Sequence, residues 1–284
     1  MVQPPLSDPP TVVVTRPAHE CKTWLDAFRS AGFPALALPL IEITPALDAT
    51  DAGLQSALSR WSDWRAIMFV STNAVRHFFK WVRPAQLAEW QASWALGKGP
   101  RCWATGAGTL RALRAAGVPE SHIDWPGDAA PRFDSEQLWT VVSDQLSTPG
   151  NVLIVRGHSA LTTNEIAGDG RDWLGQQCVA HGSTPVYLAV YRRGIPSWDA
   201  AFENAWRLAF TDPNAVWLIT SSQALAHAKA LVGADADLLW AHRMVCTHER
   251  IAATARAAGC QSAYVCRPIV DELLATLRAI QRPS

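Results

Sequence analysis

The sequence predicts an α/β protein of two similar lobes, each a parallel sheet flanked by helices, joined by two extended connector strands. Three observations carry this. Short, nearly all-apolar runs alternate with amphipathic runs, the pattern of parallel strands covered on both faces by helices. The second half of the chain restates the first in the same order. Val12-Val13-Val14-Thr15-Arg16 returns as Val152-Leu153-Ile154-Val155-Arg156, and Trp24-Leu25 as Trp173-Leu174. Phe69-Val70-Ser71-Thr72-Asn73-Ala74-Val75-Arg76-His77 returns as Ile219-Thr220-Ser221-Ser222-Gln223-Ala224-Leu225-Ala226-His227. Arg114-Ala115-Ala116-Gly117 returns as Arg256-Ala257-Ala258-Gly259, and Glu136-Gln137-Leu138-Trp139 as Asp271-Glu272-Leu273-Leu274. Finally, the extended, Pro-marked segments 39–45 and 185–191 stand at the same place in each copy. A repeat of roughly 140 residues is too long for a solenoid unit. It implies two lobes, with a cleft between them as the expected ligand site.

The elements follow in order. Residues 11–15 read as a strand, followed by a helical pattern through Trp24, Leu25 and Phe28 that Gly32 stops; residues 35–43 are apolar and broken by Pro39. A buried strand is expected over 66–70, a helix from about 73 to 82, a strand over 102–104 and a helix over 109–116 closed by Gly117. A short strand over 122–125 and a helix over 135–146, with Ser135 at its N-cap, complete the first copy. The second begins with a strand at 151–155. If both Pro-marked segments cross between lobes, residues 1–40 and 190–284 form one lobe and 41–189 the other.

Composition narrows the function classes. The 284 residues give room for two cores, and 49% apolar against 18% charged residues exclude a disordered chain. The 25 basic and 25 acidic residues cancel, so no global basic field recruits nucleic acid or an anionic membrane; an anionic ligand would be held by local groups. The Pro-rich opening lacks the basic start and apolar run of a signal peptide, and no stretch reaches 18 uninterrupted apolar residues. The six cysteines show no C-x-x-C pair and no histidine in zinc register, so a reduced, cytoplasmic protein without disulfides is expected. The 14 tryptophans fall mostly in helical patterns and are assigned to packing.

The polar residues with chemical potential lie just past strand ends, which in a parallel sheet is the ligand-binding edge. They are Thr15 and Arg16; Ser71, Thr72 and Asn73; Gly106 and Thr109; Arg156; and Thr220, Ser221 and Ser222. Turns of this kind aim free backbone N–H groups and the positive end of a helix dipole at an anion. The plainer reading is that the hydroxyls only cap helices. No nucleophile triad, metal cluster or phosphate loop is present, and Gly106-x-Gly108 lacks the Lys-Ser/Thr of a nucleotide loop. His77 and His227 stand at equivalent repeat positions and are assigned to packing or surface. Tyr191, in the second connector, is either a proton donor facing the cleft or a packing residue between lobes.

At these residues the chain resembles the uroporphyrinogen-III synthase family over essentially its whole length. The matching phrases are Thr15-Arg16-Pro17, Gly32, Pro39-Leu40-Ile41, Val70-Ser71-Thr72-Asn73-Ala74-Val75, Gly106 with Thr109, Ser135-Glu136-Gln137-Leu138, Tyr191-Arg192 and Thr220-Ser221-Ser222. Each is weak alone; the ordered set is specific. Two departures stand out. The family's compact Arg-Gly…Gly-Arg turn is stretched here by an insertion between Arg156-Gly157 and Gly170-Arg171, expected to be a mobile loop over 158–169. A second Gly-x-x-Thr is replaced by His248-Glu249-Arg250-Ile251.

The resemblance implies a lyase that closes the linear tetrapyrrole hydroxymethylbilane to uroporphyrinogen III, losing water and inverting the last ring, with no metal and no organic cofactor. It implies a monomer acting on a small molecule with eight carboxylates, in the cytoplasm, without nucleic acid or membrane. A transient contact with the enzyme supplying hydroxymethylbilane is compatible with it. It also places Tyr191 as the catalytic residue and the strand-end residues named above as substrate-binding. The alternatives are a paralogue that binds tetrapyrroles without turnover and a two-lobed small-molecule binding protein.

Overall fold

Val12, Val13 and Val14 are each no more than 1% exposed, so the first strand has no solvent face and needs cover on both sides. The computed structural model, which describes residues 8–127, 130, 135–159 and 173–281, supplies that cover. In chain order the elements are β1 (Val12–Val14), α1 (Ala18–Ser30), β2 (Ala35–Ala37), β3 (Glu42–Pro45), α2 (Ala52–Ser59), β4 (Trp64–Phe69), α3 (Thr72–Phe79) and α4 (Pro84–Ala95). There follow β5 (Arg101–Ala104), α5 (Ala107–Ala115), β6 (Ile123–Asp124), α6 (Ser135–Val142), β7 (Asn151–Ser159), α7 (Trp173–Ala180) and β8 (Thr184–Gly194). The last third holds α8 (Ala200–Thr211), β9 (Val216–Ile219), α9 (Ser222–Val232), α10 (Ala236–Trp240), β10 (Arg243–Cys246), α11 (Glu249–Ala257), β11 (Ala263–Val265) and α12 (Val270–Gln281).

The chain divides into two units, Met1–Ile43 with Gly194–Ser284, and Thr44–Arg193. The first holds a five-stranded sheet in the order β11-β10-β9-β1-β2, every pair parallel. Side chains alternate between its faces. Val12, Val14, Val216, Leu218 and Val245 pack with Cys21 and Phe28 of α1 and Leu273, Leu274 and Leu277 of α12. On the other face Val13, Trp217, Ile219, Met244 and Cys246 pack with Phe202, Leu225, Leu239 and Ile251 from α8 to α11.

The second unit holds a sheet in the order β3-β8-β7-β4-β5-β6, with β8 through β6 parallel throughout. One face packs on α6 and α7 through Met68, Trp103, Ile154, Leu138 and Cys178. On the opposite face Phe69 meets Phe78 of α3 edge-on at 5.5 Å. Counted by the repeat, β2-β1-β9-β10-β11 and β8-β7-β4-β5-β6 are one strand order, 2-1-3-4-5, the doubly wound arrangement whose topological switch point lies between strands 1 and 3.

Departures from the sequence reading are local. The run 35–43 is two strands: β2 ends at Ala37 and β3 starts at Glu42, because Pro39 has no N–H to give a ladder. The expected helix 135–146 relaxes at Ser143 into a 3₁₀ turn, and His122 closes another such turn before β6. Gly32 and Gly117 end their helices at φ +85° and +89°, where a side chain would be strained. The inserted loop lies, beyond Ser159, outside the described residues.

Candidate functional site

The carboxyl edge of the second unit gathers Ser71, Thr72 and Asn73 after β4, Gly106 and Thr109 after β5, Arg156 on β7 and Tyr191 on β8. The β7/β4 boundary is the switch point, so Arg156 and Ser71 flank the place where this fold binds ligands. Ser71 is the N-cap of α3: its Oγ accepts a hydrogen bond from the Ala74 N–H at 3.1 Å. The same oxygen lies 3.0 Å from the Tyr191 hydroxyl. With its acceptor side turned to the helix N–H, Ser71 can donate to the phenolic oxygen and leave the phenol's own proton to be given away.

Tyr191 is 3% exposed. Its ring centroid is 5.6 Å from that of His77, which α3 carries six residues beyond its cap at Ser71. The Arg193 guanidinium lies 6.0 Å from the ring. Gly157 is its cross-strand partner on β7.

Beside this pair, α3 and α5 start next to one another. A Cβ on Gly108 would stand 3.2 Å from Thr72 Oγ1, so the missing side chain lets the two first turns approach. Thr105 Oγ1 donates to the Val70 carbonyl at 3.3 Å, tying the two turns together. Gly106 is the N-cap of α5 and offers no side-chain cap, which leaves the first-turn N–H groups to an incoming anion. Asn73 and Thr109 are buried at 8% and 5% exposure. Arg156 is buried too, its guanidinium 4.2 Å over the Tyr187 ring.

The remaining candidates sit on the equivalent edge of the first unit, at its β1/β9 switch point. Thr15 is fully buried and donates to the Leu218 carbonyl at 2.6 Å, which joins β1 to β9. Arg16 bonds Glu20 through Nε at 2.8 Å and lies 5.3 Å over the Trp24 ring. Thr220 is half-buried, and Ser221 caps α9 by accepting from the Gln223 N–H at 3.1 Å. The Ser222 hydroxyl is buried without a hydrogen-bond partner among the described residues. His248 caps α11 through Nδ1 at 3.0 Å, where Gly106 offers only backbone, and Ile251 fills the position of Thr109.

Two contributors escaped the sequence reading. Gly157 appeared there only as part of a turn, and His77 as a packing or surface residue. The repeat held the signal for His77. Its counterpart His227 is fully buried with Nδ1 2.6 Å from the Leu40 carbonyl, so each histidine meets an extended segment of its own unit.

Three buried thiols keep their protons near neutrality. Burial pushes Cys21 up to about 11, and Cys102 and Cys246 up to about 12, so none supplies a thiolate nucleophile. The second unit's edge therefore offers backbone N–H groups, hydroxyls, the Arg156 and Arg193 guanidinium groups and a phenol. Such a set binds carboxylates and can give one proton.

The family model described as uroporphyrinogen-III synthase HemD matches residues 22–275. Two solved structures share the fold. One is a uroporphyrinogen-III synthetase from Helicobacter pylori, 14% identical, with a TM-score of 0.58 over 95% of this chain and 99% of that one. The other is a mutant uroporphyrinogen III synthase from Thermus thermophilus, 15% identical, with a TM-score of 0.53 over 95% and 98%.

Proposed function

Since the chain belongs to the uroporphyrinogen-III synthase family of haem-biosynthetic cyclising lyases, we propose that it closes hydroxymethylbilane to uroporphyrinogen III with inversion of the last ring, acting as a cytoplasmic monomer. The substrate's eight carboxylates suit an edge of helix N-termini and hydroxyls better than a general basic surface, and the charge balance of the chain is neutral. Loss of the substrate hydroxyl leaves a resonance-stabilised cation, so little is asked of an acid. The larger task is to hold the chain so that the last ring attacks through its substituted carbon and passes through a spiro intermediate, which is control of position. Fixed dipoles at α3 and α5 support the transient charge.

The observation that carries this reading is the Tyr191–Ser71 hydroxyl pair at the start of α3. In the proposal the phenol gives its proton to the departing hydroxyl, which leaves as water. Ser71 and the positive end of α3 then stabilise the phenolate until it regains a proton.

The test is to supply hydroxymethylbilane and determine the isomer of the cyclised product. Isomer III is expected from the native chain. Tyr191→Phe should lower the rate by about 10²-fold, the lower range for a positioned acid, and still give isomer III. A folded Tyr191→Phe protein of full activity makes Tyr191 a packing residue. No turnover by the native chain leaves the tetrapyrrole-binding alternative.

A further inference from the structure

We infer that Gly157 and a one-residue bulge at Val190 are the positioning device of the site, seating the Tyr191 ring so that its hydroxyl meets Ser71. This rests on the reading of Tyr191 as the acid. Along β7 and β8 the register runs Val155↔Leu188 and Arg156↔Ala189, then jumps to Gly157↔Tyr191, leaving Val190 as the extra residue. Side chains alternate faces along a strand, and paired residues of a parallel ladder share a face. Tyr187 packs with Ile154 on the α6/α7 face, and Arg156 lies over its ring. Strict alternation would put Ala189 and Tyr191 on that same face. The bulge shifts the phase by one residue, so Tyr191 emerges on the opposite face, with Ser71 and His77 of α3.

Gly157 completes the device by being empty. Its φ is not in the left-handed region, so conformational freedom does not explain the glycine. Space does. A Cβ there would stand 2.8 Å from the Tyr191 hydroxyl oxygen and closer still to two ring carbons. Any side chain at 157 must therefore push the ring off the strand and away from Ser71. The phenol meets the bare Cα of Gly157 and neighbours the His77 ring, and the hydrogen bond to Ser71 fixes its tip.

The chain has three tyrosines, Tyr187, Tyr191 and Tyr264, so 3-fluorotyrosine labelling gives three fluorine resonances, and Tyr191→Phe assigns the one that matters. Gly157→Ala should move the residue-191 resonance by more than its linewidth and leave that of Tyr264 in place. It should lower kcat by about 10²-fold, matching Tyr191→Phe, with KM changed less than kcat. Gly157→Ala added to Tyr191→Phe should cost kcat little more than Tyr191→Phe alone. An unmoved resonance overturns the seat. A moved resonance with kcat intact, where Tyr191→Phe is slow, overturns its role in the reaction. A fully active Tyr191→Phe sinks the acid assignment instead, while the fluorine shift still reads the seat. Should Gly157→Ala not fold, Gly157→Ala/Tyr191→Ala should, because the overlapping ring is gone; failure of both means the glycine serves the strand and overturns the proposal.

Discussion

Thr15 shows how a residue can match a motif and still be occupied elsewhere. Its hydroxyl is spent inside the sheet on the Leu218 carbonyl, whereas Ser71, at an equivalent strand-to-helix turn, has its oxygen between a helix N–H and the Tyr191 phenol. Both are hydroxyls at strand ends, and the sequence places both there. Which way each is turned depends on the strand or helix that arrives from far along the chain, and no local pattern reports that. The same limit applies to Arg16, whose charge is paired with Glu20 of the helix that follows it. Cysteine reactivity is also decided by surroundings. Burial raises the buried thiols Cys21, Cys102, Cys246 and Cys260, while Cys266 is raised as well but only half-buried. A thiol reagent at pH 8 should modify Cys266 first, and the five buried thiols, Cys178 among them, only at the rate of unfolding. Mass mapping of the labelled peptides checks this, and early labelling of Cys102 would contradict it.

Element by element, strands and the helices after them were legible because they bury whole apolar runs; what the sequence missed are deviations from period. The helix α4 has a broad mixture of Trp, Ala and Gln without a clean stripe, yet Trp90 and Trp94 anchor it, the former stacked on Trp61 at 4.8 Å. The Val190 bulge leaves no trace in composition, since Val190 is as apolar as its neighbours. The pair α5 and α11 separates what repeats from what is used. Thr109 and Ile251 fill the same position at 5% and 4% exposure, so the site accepts an aliphatic side chain without loss of fold. The helix start differs: His248 caps α11, while the first-turn N–H groups of α5 have no side-chain cap. Thr109→Val should therefore leave the unfolding midpoint nearly unchanged, and raise KM by a few-fold if the hydroxyl helps the α5 start to hold a carboxylate, at about 1 kcal/mol for one such hydrogen bond. Steady-state kinetics together with thermal unfolding decide it: an unchanged KM returns Thr109 to the core.

At the scale of the whole molecule, each unit is the opening β-α-β of one repeat copy joined to the remainder of the other, so both reach the same 2-1-3-4-5 order with different surroundings for their histidines. One histidine in each unit is held below its ordinary value. His242 of the first unit is held below its ordinary value chiefly by burial, against the rings of Phe210 and Trp217 at 5.4 and 5.5 Å. His122 of the second is lowered by burial and then by the Arg101 charge. A histidine whose folded value is depressed binds fewer protons folded than unfolded. Its stability contribution is complete above the unfolded value of about 6.5 and is lost as pH falls from there through the folded value. The carboxylates of Glu120 and Glu272 are depressed by Arg114 and Arg267, so their contribution fades only below the ordinary carboxylate range, and both pairs are exposed. Between pH 6.5 and 5 the histidines therefore dominate. Urea midpoints should be level from pH 8 to 7 and fall between 6.5 and 5. His242→Asn and His122→Asn should each flatten part of that fall, and a combined variant whose midpoint still drops as steeply as the native protein's would show that other groups carry the acid sensitivity.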